Sequence, residues 1–341
     1  MKNPKFVSIV VCTFNRAENI VQSIKSLLNQ DYPKDLYEII VVDDGSSDNT
    51  RELVSKYPIK FIRHQKNLGI SASRNSGLKA SKGDIYVCFD DDCVADKDWL
   101  RNIVRVFEER GNINGVCGLT VPGKNMSIMD EYLDQSDYTN PSPMIFSQNT
   151  NILYRFITYL ISMINPPLKE IKEITQVYEV YGANSSFPTK ILREIGGWVE
   201  NLSGVEDTDL CTRIRNKHPE NKFFINPNAK IIHNHELSFI DFVQKPFKRG
   251  LVNLKYYQKN CKFPPIFPFP CIYLLLVLLA LLDNPITAVI TLILIPQIMY
   301  FWWIIRFFKT LEFDYLLFPY IQLSYETMVI AGLIRGYATK T

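Results

Sequence analysis

Val87-Cys88-Phe89-Asp90-Asp91-Asp92-Cys93 is a strand-like apolar run that ends in three consecutive carboxylates. Asp96 and Asp98 follow, and a helical pattern opens at Trp99. An unpaired buried charge is very costly, so a strand interior does not hold three adjacent acids. The acids therefore stand at the strand's C-terminal end and face a cleft. Side by side they repel one another unless a cation lies among them. Strand alternation points Asp90 and Asp92 one way and Asp91 the other.

The flanking sequence places this stretch in a repeating unit. Val7–Thr13 (VSIVVCT) is a continuous β-branched run of the kind found in parallel strands covered on both faces. Asn15 with Glu18 three residues on reads as a capping box, and Ile20, Ile24, Leu27 and Leu28 form a helical stripe. Tyr37–Val42 is a second buried strand, ending at Asp43-Asp44-Gly45-Ser46. Helix, strand and helix repeat through Leu53, Ile59–Arg63 and Ile70–Ala80. The spacing predicts an α/β fold of βαβ units, a Rossmann-like, mostly parallel sheet flanked by helices. Right-handed crossovers carry the strand C-termini to one edge, where ligands bind. Thr13-Phe14-Asn15, Asp43-Asp44 and Asp90-Asp91-Asp92 are thus expected in one cleft. Further on, Tyr181–Phe187 reads as a strand and Pro188–Ile195 as a short helix. Phe223–Ile225 and Ile231-Ile232 read as short strands, the latter ending at His233-Asn234-His235.

Composition bounds the class. Of 341 residues, 47% are hydrophobic and 21% charged, which excludes a disordered chain, and a net charge of +3 gives no nucleic-acid footprint. The seven cysteines include no C-x-x-C pair and read as reduced, cytosol-facing thiols. After about Pro264 the chain becomes nearly all apolar. Ile266–Leu282 and Ile286–Ile305 are read as two transmembrane helices joined by Asp283-Asn284-Pro285. Lys245, Lys248, Arg249, Lys255, Lys259 and Lys262 precede them, and Arg306 and Lys309 follow. The positive-inside rule then sets the domain on the cytoplasmic side of a cell membrane. Leu316–Ile334 is a third spanning or interfacial segment; on the interfacial reading its Glu326 is wet, and Trp302-Trp303 is an interface anchor. Ile152–Ile164 reads as a buried helix or one lying on a membrane. The expected organisation is 1–240 catalytic, 241–263 a basic juxtamembrane linker and 264–341 a helical membrane region.

Several motifs together resemble one family. They are Val10-Val11-Cys12-Thr13-Phe14-Asn15-Arg16, Val41-Val42-Asp43-Asp44-Gly45-Ser46-Ser47-Asp48, Asn67-Leu68-Gly69, Ala72-Ser73-Arg74-Asn75-Ser76-Gly77, Gly83-Asp84, Asp90-Asp91-Asp92, Gly196-Gly197-Trp198 and Gly204-Val205-Glu206-Asp207-Thr208-Asp209-Leu210. In order and spacing, from about Val7 to His235, the chain is similar to family 2 glycosyltransferases of the GT-A fold. The resemblance implies an inverting sugar transfer from a nucleotide-sugar donor to an acceptor. It implies that Thr13, Asn15, Asp43, Asp44, Arg74, Asp90, Asp91 and Glu206 serve the nucleotide-sugar. It further implies that Asp92, with His233, holds a divalent Mg²⁺ or Mn²⁺, and that Asp207 is the base. The Q-x-x-R-W signature of processive synthases is absent.

Each motif also has a plainer reading. Asp90-Asp91-Asp92 could be a solvated acidic turn, yet two hard oxygen donors suit a metal that takes substrate phosphates as further ligands. Asp43-Asp44-Gly45-Ser46 has the composition of an ordinary turn. Glu206, Asp207 and Asp209 suit a helix N-terminus, while an attacking hydroxyl needs a carboxylate to take its proton. His233 and His235 are ligands or surface histidines, and Arg74 touches the nucleotide or is a solvated helix residue. The apolar tail leads to the expectation of a membrane partner and a lipid-linked or glycan acceptor. A polyprenyl-phosphate sugar transferase and a non-catalytic nucleotide-sugar-binding membrane subunit are the alternatives.

Overall fold

The structure is a computed structural model that describes residues 5–123, 127–136, 153, 156–157, 159, 171–200, 202, 204–234, 238–259 and 267–339. The chain divides into two compact units. The first comprises 1–126, 137–145 and 169–235, and the second 127–136, 146–168 and 236–341.

The first unit is built on β1 (Val7–Thr13), whose seven residues are all buried. It lies between β2 (Tyr37–Asp43) and β4 (Ile85–Asp90), parallel to both. β3 (Lys60–Arg63) extends the sheet beyond β2, again in parallel. The two faces of β1 feed two cores, as period-2 alternation requires. Val7, Ile9 and Val11 pack with Ile20, Ile24 and Leu27 of α1 (Ala17–Leu28) and with Trp99 and Ile103 of α4 (Trp99–Glu109). Val10 and Cys12 pack on the other side with Leu78 of α3 (Ile70–Ala80), Trp198 and Leu210. The helix α2 (Thr50–Val54) joins β2 to β3. Burying an aliphatic side chain stabilises the fold by roughly 1.5–3 kcal/mol, and this double-sided burial fixes the strand register. That register pairs Thr13 with Asp43 and Cys12 with Asp90. The strand ends therefore meet at one edge.

Beyond β4 the sheet continues through β8 (Asn184–Pro188), β6 (Ile113–Pro122), β9 (Lys222–His233) and β5 (Cys93–Ala95), with β7 (Thr175–Val177) beside β9. The expectation of a mostly parallel sheet is corrected here. β6–β9 is parallel, but β4–β8, β6–β8, β5–β9 and β7–β9 are antiparallel. The βαβ rhythm sets strand direction only through β4; β8 enters the sheet from the site edge, Asn184 opposite Phe89. After β8 come α6 (Thr189–Glu194) and α7 (Glu206–Lys217). The two short strands expected at 223–232 are one strand, β9. The expected capping box is absent: Arg16, not Asn15, precedes α1 and caps nothing, because the Asn15 side chain is engaged elsewhere.

The second unit is helical: α5 (Ile128–Gln135), α8 (Phe239–Lys259), α9 (Pro268–Asp283), α10 (Pro285–Met299), α11 (Trp302–Thr310) and α12 (Phe318–Ala338). Helices α8 and α12 cross where Gly250 faces Gly332; a Cβ on Gly250 would lie 2.2 Å from the Val329 carbonyl. Glu326 is 1% exposed, so the expectation of a wet glutamate is corrected. It accepts hydrogen bonds from Tyr300 Oη at 2.8 Å, Tyr159 Oη at 2.9 Å and Gln322 Nε2 at 3.1 Å. Trp302 and Trp303 are buried rather than displayed, and Trp303 Nε1 donates to Gln322. Helices α9 and α10 instead expose their leucines and isoleucines, Leu282 and Ile286 most of all. No single described helix is long and apolar enough to cross a membrane. The segment expected to run straight from Ile286 to Ile305 bends by 78° between α10 and α11, just after Pro296. Ile152–Ile164 lies mostly outside the described residues.

Candidate active site

Three loops at the strand ends are stitched together. Asn15 has φ +54°, the left-handed conformation that asparagine tolerates. Its amide donates to Ser46 Oγ at 2.9 Å, its side-chain oxygen accepts from the Ser47 amide at 2.8 Å, and the Ala17 amide donates to Asp48 at 3.1 Å. Asp43 is fully buried; its Oδ1 accepts the Ser46 amide, while Oδ2 makes no hydrogen bond and faces Arg63 Nε at 3.5 Å. Asp44 accepts from the Leu68 and Gly69 amides and pairs with His64 Nδ1 at 2.7 Å. Both acids are thus occupied in shaping the loops that open toward the strand edge.

The second group is organised on Asp92. Strand β4 ends at Asp90, so Asp91 and Asp92 lie in a turn and the alternation expected of them does not apply. Arg16 Nη1 donates to Asp92 Oδ2 at 2.6 Å, and His233 Nε2 lies 2.9 Å from Oδ1. The His233 position follows from the pairing of β5 with β9, which sets it opposite Cys93. Burial lowers the pKa of His233, but the Asp92 hydrogen bond and charge outweigh this and raise it. Asp91 is buried; Ser23 Oγ donates to its carbonyl, and burial pushes its carboxyl up to about 7.

Ligand atoms of Asp92, Cys93 and His233 lie within 4.8 Å of one another. Burial raises the Cys93 thiol well above its usual value. A soft sulfur suits a hard cation poorly, so the useful donors are a carboxylate oxygen and an imidazole nitrogen, a set that fits Mn²⁺ or Mg²⁺ completed by phosphate oxygens.

The third group is organised on Arg74. Expected to touch a nucleotide or to be solvated, it is 5% exposed and reaches Asp207 Oδ1 at 2.9 Å and Glu206 Oε1 at 3.5 Å. Burial opposes its charge, but the neighbouring carboxylates hold it firmly protonated. Asp207 Oδ1 also receives Trp198 Nε1 at 3.3 Å, while Oδ2, among the described residues, accepts the Gly182 amide alone, at 2.9 Å. Burial first, then the Asp207 charge, raises the carboxyl of Glu206 against the pull of Arg74. A Cβ on Gly182 would lie 2.1 Å from Arg74 Nη2 and 2.9 Å from Asp207 Oδ2, so a larger residue there must displace the Arg74 tip. Asn75 fixes Trp198 by donating to its carbonyl and accepting its amide.

Asp90 joins the last two groups. Burial raises its pKa; Arg74 lowers it and Asp92 raises it, with smaller contributions from His233 and Asp207. Thr13 is buried at the end of β1, in register with Asp43. His235 lies outside the described residues. Sequence reasoning assigned no role to Arg16, Asn75, Gly182 or Trp198, although three of them stand inside the quoted motifs. The signal for Arg16 was a cation beside Asn15 at a strand end rich in acids.

A mixed sheet flanked by helices, with acids, an aspartate–histidine pair and a separate carboxylate gathered at one edge, is the arrangement of a GT-A-like fold. Residues 8–194 match the domain described as Glycosyl transferase family 2. The chain belongs to that family. It is 26% identical over 244 residues, 68% of this chain and 69% of the relative, to the glucosyl-dolichyl phosphate glucuronosyltransferase of Haloferax volcanii. To the glycosyltransferase AglE of the same organism it is 33% identical over 111 residues, 31% of this chain and 36% of that one. The chain spans about a third of the length of most such relatives. The mannosyltransferase PcManGT of Pyrobaculum calidifontis, solved with GDP-Man and Mn²⁺, shares the fold, with a TM-score of 0.58 at 18% identity over 99% of this chain and 89% of that one.

Proposed function

We propose that the enzyme is an inverting, metal-dependent glycosyltransferase that moves one sugar from a nucleotide-sugar to a lipid-linked acceptor at the cytoplasmic face of a membrane. The observation that carries this reading is the division of acids into two groups at one sheet edge. Asp92 and His233 are the donors suited to hold a divalent ion on the donor's diphosphate. The ion would neutralise charge developing on the departing nucleoside diphosphate. Asp43 and Asp44 hold the loops that form the nucleotide's seat, and Asp90 and Asp91 border the ribose.

Asp207 is the base. The acceptor hydroxyl oxygen forms the new bond to the anomeric carbon as the bond from that carbon to the diphosphate oxygen breaks, and the proton passes to Asp207. Oδ2, with one hydrogen bond among the described residues, is the oxygen with room for it; Oδ1 is held by Arg74 and Trp198. Arg74 is therefore a positioning residue.

Membrane association and the lipid-linked acceptor rest on different support. Helices α9 and α10 expose apolar side chains along their length, and basic residues flank them at Lys245, Lys248, Arg306 and Lys309. At 16 and 15 residues they extend about 24 and 22 Å, short of the roughly 30 Å hydrocarbon core. They enter the bilayer as a hairpin rather than as two full spans. The dolichyl-phosphate acceptor named for one relative points the same way.

The test is a donor screen in membranes containing the full chain, following nucleoside diphosphate released from each nucleotide-sugar. Release from one donor should stop with chelator and return with Mn²⁺ or Mg²⁺. Asp207→Asn should lower it by about 10²–10⁴-fold. Turnover indifferent to chelator would refute the metal. Full activity of Asp207→Asn would refute the base and point to a phosphate nucleophile.

A further inference from the structure

Arg16 stands where an ion seated on Asp92 would meet it. Its guanidinium has no lone pair to offer a metal and carries a permanent positive charge. It nonetheless holds Asp92 Oδ2 at 2.6 Å and lies 4.0 Å from Asp91. The backbone on either side of it is pinned: Asn15 is tied to Ser46 and Ser47, and Ala17 to Asp48. Its side chain is 42% exposed, so the tip has room to swing while its root stays fixed. Arginine is also the side chain best shaped to grip a phosphate, through two parallel N–H groups.

We propose that Arg16 competes with the divalent ion for Asp92 and transfers to the donor's diphosphate when the ion takes its place. This rests on the reading of Asp92 as a metal ligand. It makes the ion and the nucleotide mutually dependent. Without a diphosphate, Arg16 holds Asp92 and the ion binds weakly. With a diphosphate, Arg16 has a second anion to pair with, and Asp92 is released to the ion. Linkage then requires each to strengthen the other's binding.

The test measures binding alone, on the purified full chain in detergent. Mn²⁺ affinity is read from the electron paramagnetic resonance signal of free Mn²⁺, and UDP and GDP affinity by calorimetry, each with and without the other ligand. Arg16→Gln should bind Mn²⁺ alone about two- to fivefold tighter, the scale expected for a partly exposed ion pair. The same variant should bind the nucleoside diphosphate alone several-fold more weakly. A merely structural arginine would not move the two affinities in opposite directions. Arg16→Lys, which keeps the charge but loses the planar fork, should fall between, and equal melting temperatures show that each variant folds. If Asp92→Asn leaves Mn²⁺ binding intact, both this proposal and the metal reading fall. If Asp92→Asn abolishes it while Arg16→Gln leaves Mn²⁺ affinity unchanged or lower, or leaves the diphosphate bound as tightly, the competition alone is refuted.

Discussion

Replacing Arg74 by methionine keeps most of the side chain's length and removes its charge. Arg74 is 5% exposed, and the carboxylates it serves, Asp207 and Glu206, have side chains 17% and 12% exposed. Removing one partner of a buried ion pair costs roughly 3–5 kcal/mol, because the other charge is left uncompensated. Both acids retain some contact with solvent and keep amide or indole donors, so the lower end, about 3 kcal/mol at pH 8, is expected. The pH dependence gives the stricter check. Glu206 already has a raised pKa from burial and from Asp207, and Arg74 is what restrains it. In Arg74→Met the folded-state value rises further, while the unfolded value stays near 4.3. A carboxyl with a raised folded pKa binds more protons folded than unfolded. Its favourable contribution is fully present below about pH 4 and is lost as pH climbs through the raised value. The penalty of Arg74→Met should therefore be small at pH 4.5 and full at pH 8. Urea unfolding followed by tryptophan fluorescence at the two pH values measures it. A penalty equal at both, or below about 1 kcal/mol at pH 8, would show that Arg74 does not neutralise these acids.

Gly182→Ala should lower kcat by about a hundredfold with the far-ultraviolet circular dichroism unchanged, because its Cβ displaces Arg74 and crowds Asp207 Oδ2. Asn75→Ala removes both hydrogen bonds to the Trp198 backbone, so a loss of about 1–3 kcal/mol in chemical denaturation is expected. Leu278→Ser with Leu282→Ser, both at exposed positions on α9, should weaken flotation with anionic vesicles by about a hundredfold while leaving the melting temperature unchanged.

The parallel half of the sheet was legible because Val7–Thr13, Tyr37–Val42 and Ile85–Phe89 are mostly apolar runs with helical stripes between them, the pattern of strands covered on both faces. The antiparallel strand β8 was harder to read. Its Asn184, Ser185 and Ser186 are buried without being apolar, and what they satisfy is distant: Ser186 Oγ donates to the Val116 carbonyl, and Asn184 accepts from Trp99 Nε1. The same limit applies at the site. The family resemblance singled out Asp92, His233 and Asp207, but Arg74 and Asp207 stand 133 positions apart, and no local pattern joins them. Asp43 and Asp44 were legible as strand-ending acids; that the loop amides take them up depends on how the chain returns at Leu68 and Gly69. Glu326 misled because its segment was read as interfacial, which would leave the acid wet, whereas Tyr159, Tyr300 and Gln322 converge on it.

An edge with so many carboxylates holds together because most of them have a cation or a hydrogen-bonding ring delivered by a different part of the chain. Arg63 faces Asp43, His64 pairs with Asp44, Arg16 and His233 with Asp92, and Arg74 with Asp207 and Glu206. Each pairing ties segments distant in sequence, so pairing the acids and shaping the cleft are one process. Asp90 departs from this pattern: among the described residues its carboxylate forms no ion pair within 4.0 Å, although it feels Arg74 on one side and Asp92 and His233 on the other. An acid in that setting is costly unless something else pairs with it. Two donors within the proposed reaction meet that need, the ribose hydroxyls and the divalent ion on the diphosphate. This separates Asp90 from Asp92 more firmly than position in the motif does. On the proposed reading, Asp92 would exchange one cation for another, whereas Asp90 would gain its partner only with the donor.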